Sequence, residues 1–305
     1  MSQPPNKFLV IGAFFSIYFI WGSTYLLNKI AVKELSPFFL ASVRFTIAGI
    51  LIFILCRILG ISLKITKTQL RNCIISGFLF LAFGNGIIVW ALKYVDSGFA
   101  ALEISAQPLV VLILMLIFQG KKIKSSSIIG VVLGVIGIYL LVSQKAILSQ
   151  ENSVIGMLMI FACMVSWGYG SLFVGTADLP KNYFVTAAYQ MISGGLILCV
   201  ASLAFNEPWL NITLWSEGVY WSLAILIIFG SIVAFTSFNY LLKFVSPEKV
   251  ATSTYVNPIV ALLLGWYFLN ETITSQSIIA AMVLLTGVYF INTKRTMVIF
   301  SRFKR

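Results

Sequence analysis

The chain has 305 residues, 60% hydrophobic and only 10% charged, with a formal charge of +12 and no histidine. Soluble domains run at about 45–50% apolar and 25% charged, so a water-soluble fold of this size would lack the charges to cover its surface. The missing histidine excludes His-based metal sites, general bases and proton relays.

A bilayer core of roughly 30 Å needs about 20 mostly apolar residues per helix. The chain supplies ten such runs, at about 8–28, 37–58, 72–92, 97–119, 126–143, 154–175, 183–205, 218–241, 247–269 and 275–293. The predicted fold class is therefore an all-α integral membrane protein, joined by connections too short to hold a soluble domain. The first run continues through Trp21 without a small-residue cleavage site, so it is read as a retained span and not a cleaved signal. The four cysteines lie in or beside apolar runs without metal-ligand spacing, and are read as packing residues.

The positive charge locates the ends of the spans. Sixteen Lys and Arg fall on the side shared by both termini and four on the other, with Arg44 left inside a span. That bias puts both termini in the cytoplasm. It also makes the charge a topology and lipid signal, with no nucleic-acid partner expected. No Walker A sequence is present, so neither ATP hydrolysis nor a cofactor is expected.

The sequence resembles itself. Residues 91–142 and 241–292 share 16 identities in 52 gapless positions, including Lys93 with Lys243, Pro108 with Pro258, Gly137 with Gly287 and Tyr139 with Tyr289. At the front of each half, Trp21-Gly22 meets Trp167-Gly168. The expected organisation is one five-helix repeat over 1–145, a second over 152–295 and a basic tail over 296–305. Five spans per half is an odd number, so the halves are inverted, with a site near the midplane between them.

Two charges break the apolar pattern. Arg44 lies about seven residues into the second span and Glu103 about six into the fourth, which places both roughly 9–10 Å below the same surface. Intramembrane charges pair, or face water and ligand, so the two are expected to pair or to share a polar cavity. By the internal repeat Arg44 corresponds to Gln190, Glu103 to Ser253 and Gln107 to Asn257. Gln107 and Asn257 each sit beside a proline, where a helix can break and line a site. The candidate substrate-binding residues are Trp21, Arg44, Asn85, Glu103, Gln107, Gln190, Tyr255 and Asn257. They combine an aromatic wall with amides and one cation, suited to a small amphipathic metabolite. Asn239 and Tyr240 are weighed beside them, but Trp90, Tyr94 and Tyr240 near span ends are read as interfacial belt residues. The glycines at 130, 134 and 137 are read as intramolecular packing.

These residues carry a family resemblance. Ile20-Trp21-Gly22-Ser23-Thr24, then Ser36-Pro37 with Arg44-Phe45, Ala91-Leu92-Lys93-Tyr94-Val95, the Pro108 run ending in Phe118-Gln119-Gly120-Lys121, and its repeat from Pro258 to Phe268-Leu269-Asn270-Glu271 follow one another in order. The chain resembles the ten-helix EamA-type permeases of the drug/metabolite transporter superfamily. The resemblance implies a cavity formed largely by spans one to four and six to nine, with spans five and ten peripheral. It implies a secondary transporter in the bacterial inner membrane, exporting small metabolites such as amino acids or related compounds. The alternative is a broad-specificity drug efflux permease. The expected partners are a small-molecule substrate and the lipid bilayer, in a monomer or homodimer, with protons as a coupling ion and facilitated diffusion without coupling left as alternatives. Glu103 is the best protonatable candidate, since it is the only carboxylate well inside a span.

Overall fold

A computed structural model describes residues 7–120, 125–144, 151–245 and 250–292. Every regular element among them is helical. In chain order these are α1 (Lys7–Ala31), α2 (Pro37–Ile58), α3 (Lys67–Ala91), α4 (Ser97–Gln119), α5 (Ser125–Val142), α6 (Ser153–Val174), α7 (Tyr183–Ala204), α8 (Glu217–Phe244), α9 (Asn257–Leu269, entered through a 3-10 turn at Ala251–Tyr255) and α10 (Ser275–Asn292). Seven of them, α1 to α4 and α6 to α8, are long and apolar enough to cross a membrane. Shorter apolar stretches occupy α5, α9 and α10. The basic tail and Lys121, Lys122, Lys124, Lys145 and Lys249 lie outside the described residues.

Local chemistry explains most boundaries. Pro37 opens α2 after an extended Ser36, the position where a missing N–H costs nothing. Helix α3 starts five residues before its apolar run because Thr66 and Gln69 form a reciprocal capping box. At the other ends, Gly60 and Asn206 adopt φ of 67° and 52°, and Gly120 and Asn270 φ of 60° and 54°, left-handed stops that let the next amide bond back to the helix. Ile61 N accordingly donates to Cys56 O at 2.8 Å, and Glu207 N to Ser202 O at 2.9 Å.

Three helices carry a π-helical stretch: Ser16–Ile20 in α1, Phe78–Asn85 in α3 and Leu226–Val233 in α8. Helix α4 is broken outright, into Ser97–Ile104 and Gln107–Gln119. The break falls just before Pro108, whose ring cannot accommodate a regular preceding turn.

Helix α2 packs along α7 and α5 along α10, while α1 packs on α8 and α3 on α6. The α5–α10 seam is close because Gly287 faces backbone. A Cβ there would come within 2.8 Å of Gly130 O and 3.0 Å of Gly134 N. The Gly130 to Gly137 stripe thus packs within the chain.

Carboxylates tie the connections together at one end of the bundle. Glu34 accepts from Ser216 N at the start of α8, Glu207 from Phe38 N and Phe39 N at the start of α2, and Glu271 from Ser97 N and Gly98 N at the start of α4. Each negative group sits at the positive end of a helix. Lys29 completes the set by donating to Leu92 O and Val95 O, both at 2.7 Å. At the opposite end α3 bonds to the α6–α7 connection and α7 to the α2–α3 connection: Asn72 Nδ2 donates to Asp178 O at 2.9 Å, and Tyr189 OH to Leu63 O at 3.0 Å.

The α5–α10 seam makes a direct prediction. Gly287→Ala should lower the thermal unfolding temperature in detergent, by the equivalent of about 1–3 kcal/mol expected for overpacking. An unchanged unfolding temperature would refute the close approach.

Candidate functional site

The breaks in the helices create the site. An α-helix satisfies its own backbone, whereas a π stretch or a break leaves carbonyls that a hydrocarbon layer cannot satisfy. Here side chains from other helices reach them. Trp21 Nε1 on α1 donates to Gly230 O in the π stretch of α8 at 3.2 Å. Ser166 Oγ on α6 donates to Leu79 O in the π stretch of α3 at 2.7 Å. The Asn257 amide, oriented by its surroundings, places its nitrogen 2.6 Å from Tyr18 O, 3.1 Å from Ile17 O and 3.2 Å from Ser253 O. With two N–H bonds it serves two of these carbonyls at a time. At the α4 break, Gln107 Nε2 donates to Met164 O of α6 at 2.9 Å.

These crossings surround a cavity. It is lined by Trp21, Thr24, Tyr25 and Asn28 of α1, Arg44 and Phe45 of α2, and Leu81, Asn85 and Ile88 of α3. Ile104, Gln107 and Val111 come from α4, and Cys163, Met164, Trp167 and Ser171 from α6. Gly230, Phe235 and Phe238 of α8, with Val250, Ala251, Ser253, Thr254 and Asn257 around the α9 turn, complete it. The lining reaches from Asn28 and Ile88, near the ends of α1 and α3, to Ala251 at the start of the 3-10 turn.

Aromatic rings form one wall. Trp21 and Trp167 meet edge to face at 5.6 Å, and Phe238 lies 5.2 Å and 5.3 Å from them. Phe80 closes the cluster behind Trp167 at 4.8 Å. Arg44 is 2% exposed. Its Nε donates to Ser231 Oγ at 2.8 Å, and its Nη1 lies 3.5 Å from Asn28 Oδ1 and from Asn85 Oδ1. Its Cζ sits 4.7 Å from the Phe45 ring centroid. Gly230 admits the guanidinium: a Cβ there would stand 3.1 Å from Nη2.

Of the residues singled out from the sequence, the structure brings Trp21, Arg44, Asn85, Gln107 and Asn257 to the cavity. Three others fall elsewhere or outside the description. Gln190 is fully buried and donates to Ser76 Oγ at 2.8 Å, because α7 packs this face on α2 and α3. The resemblance implies α7 as part of the wall, yet it contributes no described lining residue. Glu103 is 4% exposed and is absent from the described lining, and its Oε2 has no hydrogen-bond partner among the described residues. It lies close enough to Cys163, which does line the cavity, to interact with it electrostatically. No ion pair joins Glu103 to Arg44 among the described residues, since Arg44 is drawn toward Ser231 of α8. Tyr255 lies in the 3-10 turn, and its side chain is outside the described residues.

Two expectations near span ends also change. Tyr240 is buried, with its ring 5.2 Å from Tyr183, so it is not a belt residue. Asn239 donates back to Phe235 O at 3.1 Å. Helix α8 instead presents Phe235, Phe238 and Ser231, none of which the sequence singles out. Their only sequence signal is the Gly230-Ser231 pair inside an apolar run.

A polytopic helical membrane protein, with a central cavity built from helices of both halves, is the class that fold and site define. The chain matches the EamA-like transporter family over residues 8–143 and again over 154–293, and it belongs to that family. It is 32% identical over 283 residues to the uncharacterized inner membrane transporter YedA of Escherichia coli K12, covering 92% of this chain and 90% of that one. The uncharacterized transporter YoaV of Bacillus subtilis is 23% identical over 91% of this chain and 94% of its own length. A WAT1-related chloroplastic protein of Arabidopsis thaliana is 25% identical over 96% of this chain and 71% of its own. A solved crystal structure superposes with a TM-score of 0.69 at 18% identity, covering 94% of this chain and 97% of that one. It speaks to the fold alone.

The amide of Asn257 carries a testable role. Asn257→Ala removes the donor that serves the α1 carbonyls, and should cost about 1–3 kcal/mol. Thermal unfolding in detergent measures the loss, and wild-type stability in the variant would rule the role out.

Proposed function

We propose that this membrane transporter is a secondary exporter of small metabolites, amino acids or compounds related to them, working by alternating access across a bacterial inner membrane. The observation that carries this is the cavity itself: one buried cation, a ring of amides and an aromatic wall, set between the halves of a chain from a transporter family. Arg44 would hold an anionic group. Asn85, Gln107 and Asn257 would supply hydrogen bonds, and Trp21 with Trp167 would cover the apolar body.

Alternating access is proposed to run on ten spans, arranged as two inverted five-helix repeats over 1–145 and 152–295. Several coincidences favour this. Helices α2 and α7 have equal length at an offset of 146. The π stretches of α3 and α8 have equal length at 148, and Gln107–Gln119 matches Asn257–Leu269 at 150. The end of α1 shares its side of the bundle with the start of α8, whereas the connection leaving α6 meets the start of α3 on the other side. Equivalent helices thus run in opposite senses, as inversion requires. With both termini cytoplasmic, the three carboxylate caps at Ser97, Phe38 and Ser216 would hold the outer side shut.

The experiment is a comparative metabolite profile of medium from cells with and without overexpression. One compound class should accumulate outside, and no change for any compound would defeat the exporter assignment.

The oxygen of Glu103 that has no hydrogen-bond partner among the described residues favours proton coupling as a further part of the function. A carboxyl group in this place could take up and release a proton as the cavity changes sides. Purified Glu103→Gln in proteoliposomes should then lose flux driven by a pH gradient while retaining exchange of cargo. Normal gradient-driven flux in the variant would rule out Glu103 as the coupling group, and no gradient-driven flux in the wild type would make facilitated diffusion the mechanism.

A further inference from the structure

The cavity wall has a strongly one-sided charge. Arg44 is its only full charge among the described lining residues, and no aspartate or glutamate is among them. Among the described residues Glu271 caps α4, Glu207 caps α2, Glu34 caps α8, and Glu103 stands outside the lining. A buried guanidinium without a counter-charge is costly. The partners it does have are neutral and incomplete. Only Nε makes a short bond, to Ser231. The Nη1 contacts with the two asparagines are at the far limit of hydrogen bonding, and Nη2 has no hydrogen bond to a described residue. The Nη1–Nη2 edge is the fork that takes a carboxylate with two parallel bonds.

The rest of the wall limits what else the ligand can carry. An ammonium group would enter beside the guanidinium and meet no carboxylate among the described lining residues, so a cationic or zwitterionic cargo would bring an unpaired positive charge into an apolar site. A dianion would leave its second charge uncompensated for the same reason. The rings of Trp21, Trp167 and Phe238 call for a planar or aliphatic body of modest size.

We infer that the cargo is an organic monocarboxylate with an apolar body and no ammonium group, its carboxylate held on the open edge of Arg44 and its body against Trp21 and Trp167. The inference rests on the transporter assignment in taking this cavity as the cargo site, and narrows the related compounds proposed above to those lacking the amine.

Binding to the purified full-length protein in detergent tests it, read as ligand-dependent thermal stabilisation. The probes are phenylacetate, phenylacetamide, phenethylamine and phenylalanine, which share a benzyl group and carry respectively a carboxylate, a neutral amide, an ammonium and both charges. Phenylacetate should bind at least about tenfold more tightly than the other three, the ratio that one charge-assisted pair supplies. Arg44→Gln should lose that advantage, phenylacetate falling to the affinity that phenylacetamide has for the same variant. The ranking in wild type stands by itself if the variant does not fold. Tighter binding of phenethylamine or phenylalanine overturns the inference and leaves the transporter assignment intact. Binding of none of the four up to millimolar concentration also overturns it, whereas the metabolite profile alone decides whether the protein exports.

Discussion

In hydrocarbon a backbone carbonyl has no water to turn to, and leaving it unsatisfied costs several kcal/mol. The protein carries three π stretches and meets each with a side chain from another helix, while the α4 break sends its own side chain outward. Trp21 serves α8, Ser166 serves α3, Asn257 serves α1, and Gln107 at the α4 break bonds to α6. Each bond is also a tie between helices distant in the chain. The irregular backbone and the inter-helix ties are one device, and the cavity is the space they surround.

The same device accounts for the position of Arg44. The π stretch of α8 places Ser231 where it can accept from Nε, and Gly230 leaves the room that the guanidinium occupies. A regular helix over Leu226–Val233 would present different atoms at this depth, because each π turn advances the register by one residue. The cation is therefore held by backbone irregularity on a neighbouring helix, and its remaining donors are left for whatever enters.

Much of the fold was legible because it follows from composition and period. Apolar runs, short connections and the Lys93, Pro108, Gly137 and Tyr139 correspondences needed no geometry. Helix α3 shows the limit: its first turn is polar, and its start at Lys67 depends on the reciprocal bonds of Thr66 and Gln69, which hydropathy does not register. At the site, Trp21, Asn85, Gln107 and Asn257 stood out as polar or amphipathic residues in apolar surroundings. Phe235 and Phe238 did not, because a phenylalanine facing a cavity is indistinguishable in sequence from one facing lipid.

By itself the sequence determined that the chain is an apolar, internally repeated bundle of helices, and that Arg44 and Glu103 are the charges that must be accounted for within it. Burial energetics and periodicity are local properties, and they survive being read along a line. Only the tertiary structure decided that Arg44 turns to Ser231 and not to Glu103, that Gln190 is spent on Ser76, and that three π stretches offer their carbonyls to side chains of other helices. Those outcomes depend on which helix faces which and on rotations of one residue about a helix axis, and equal depth along two spans carries no information about either.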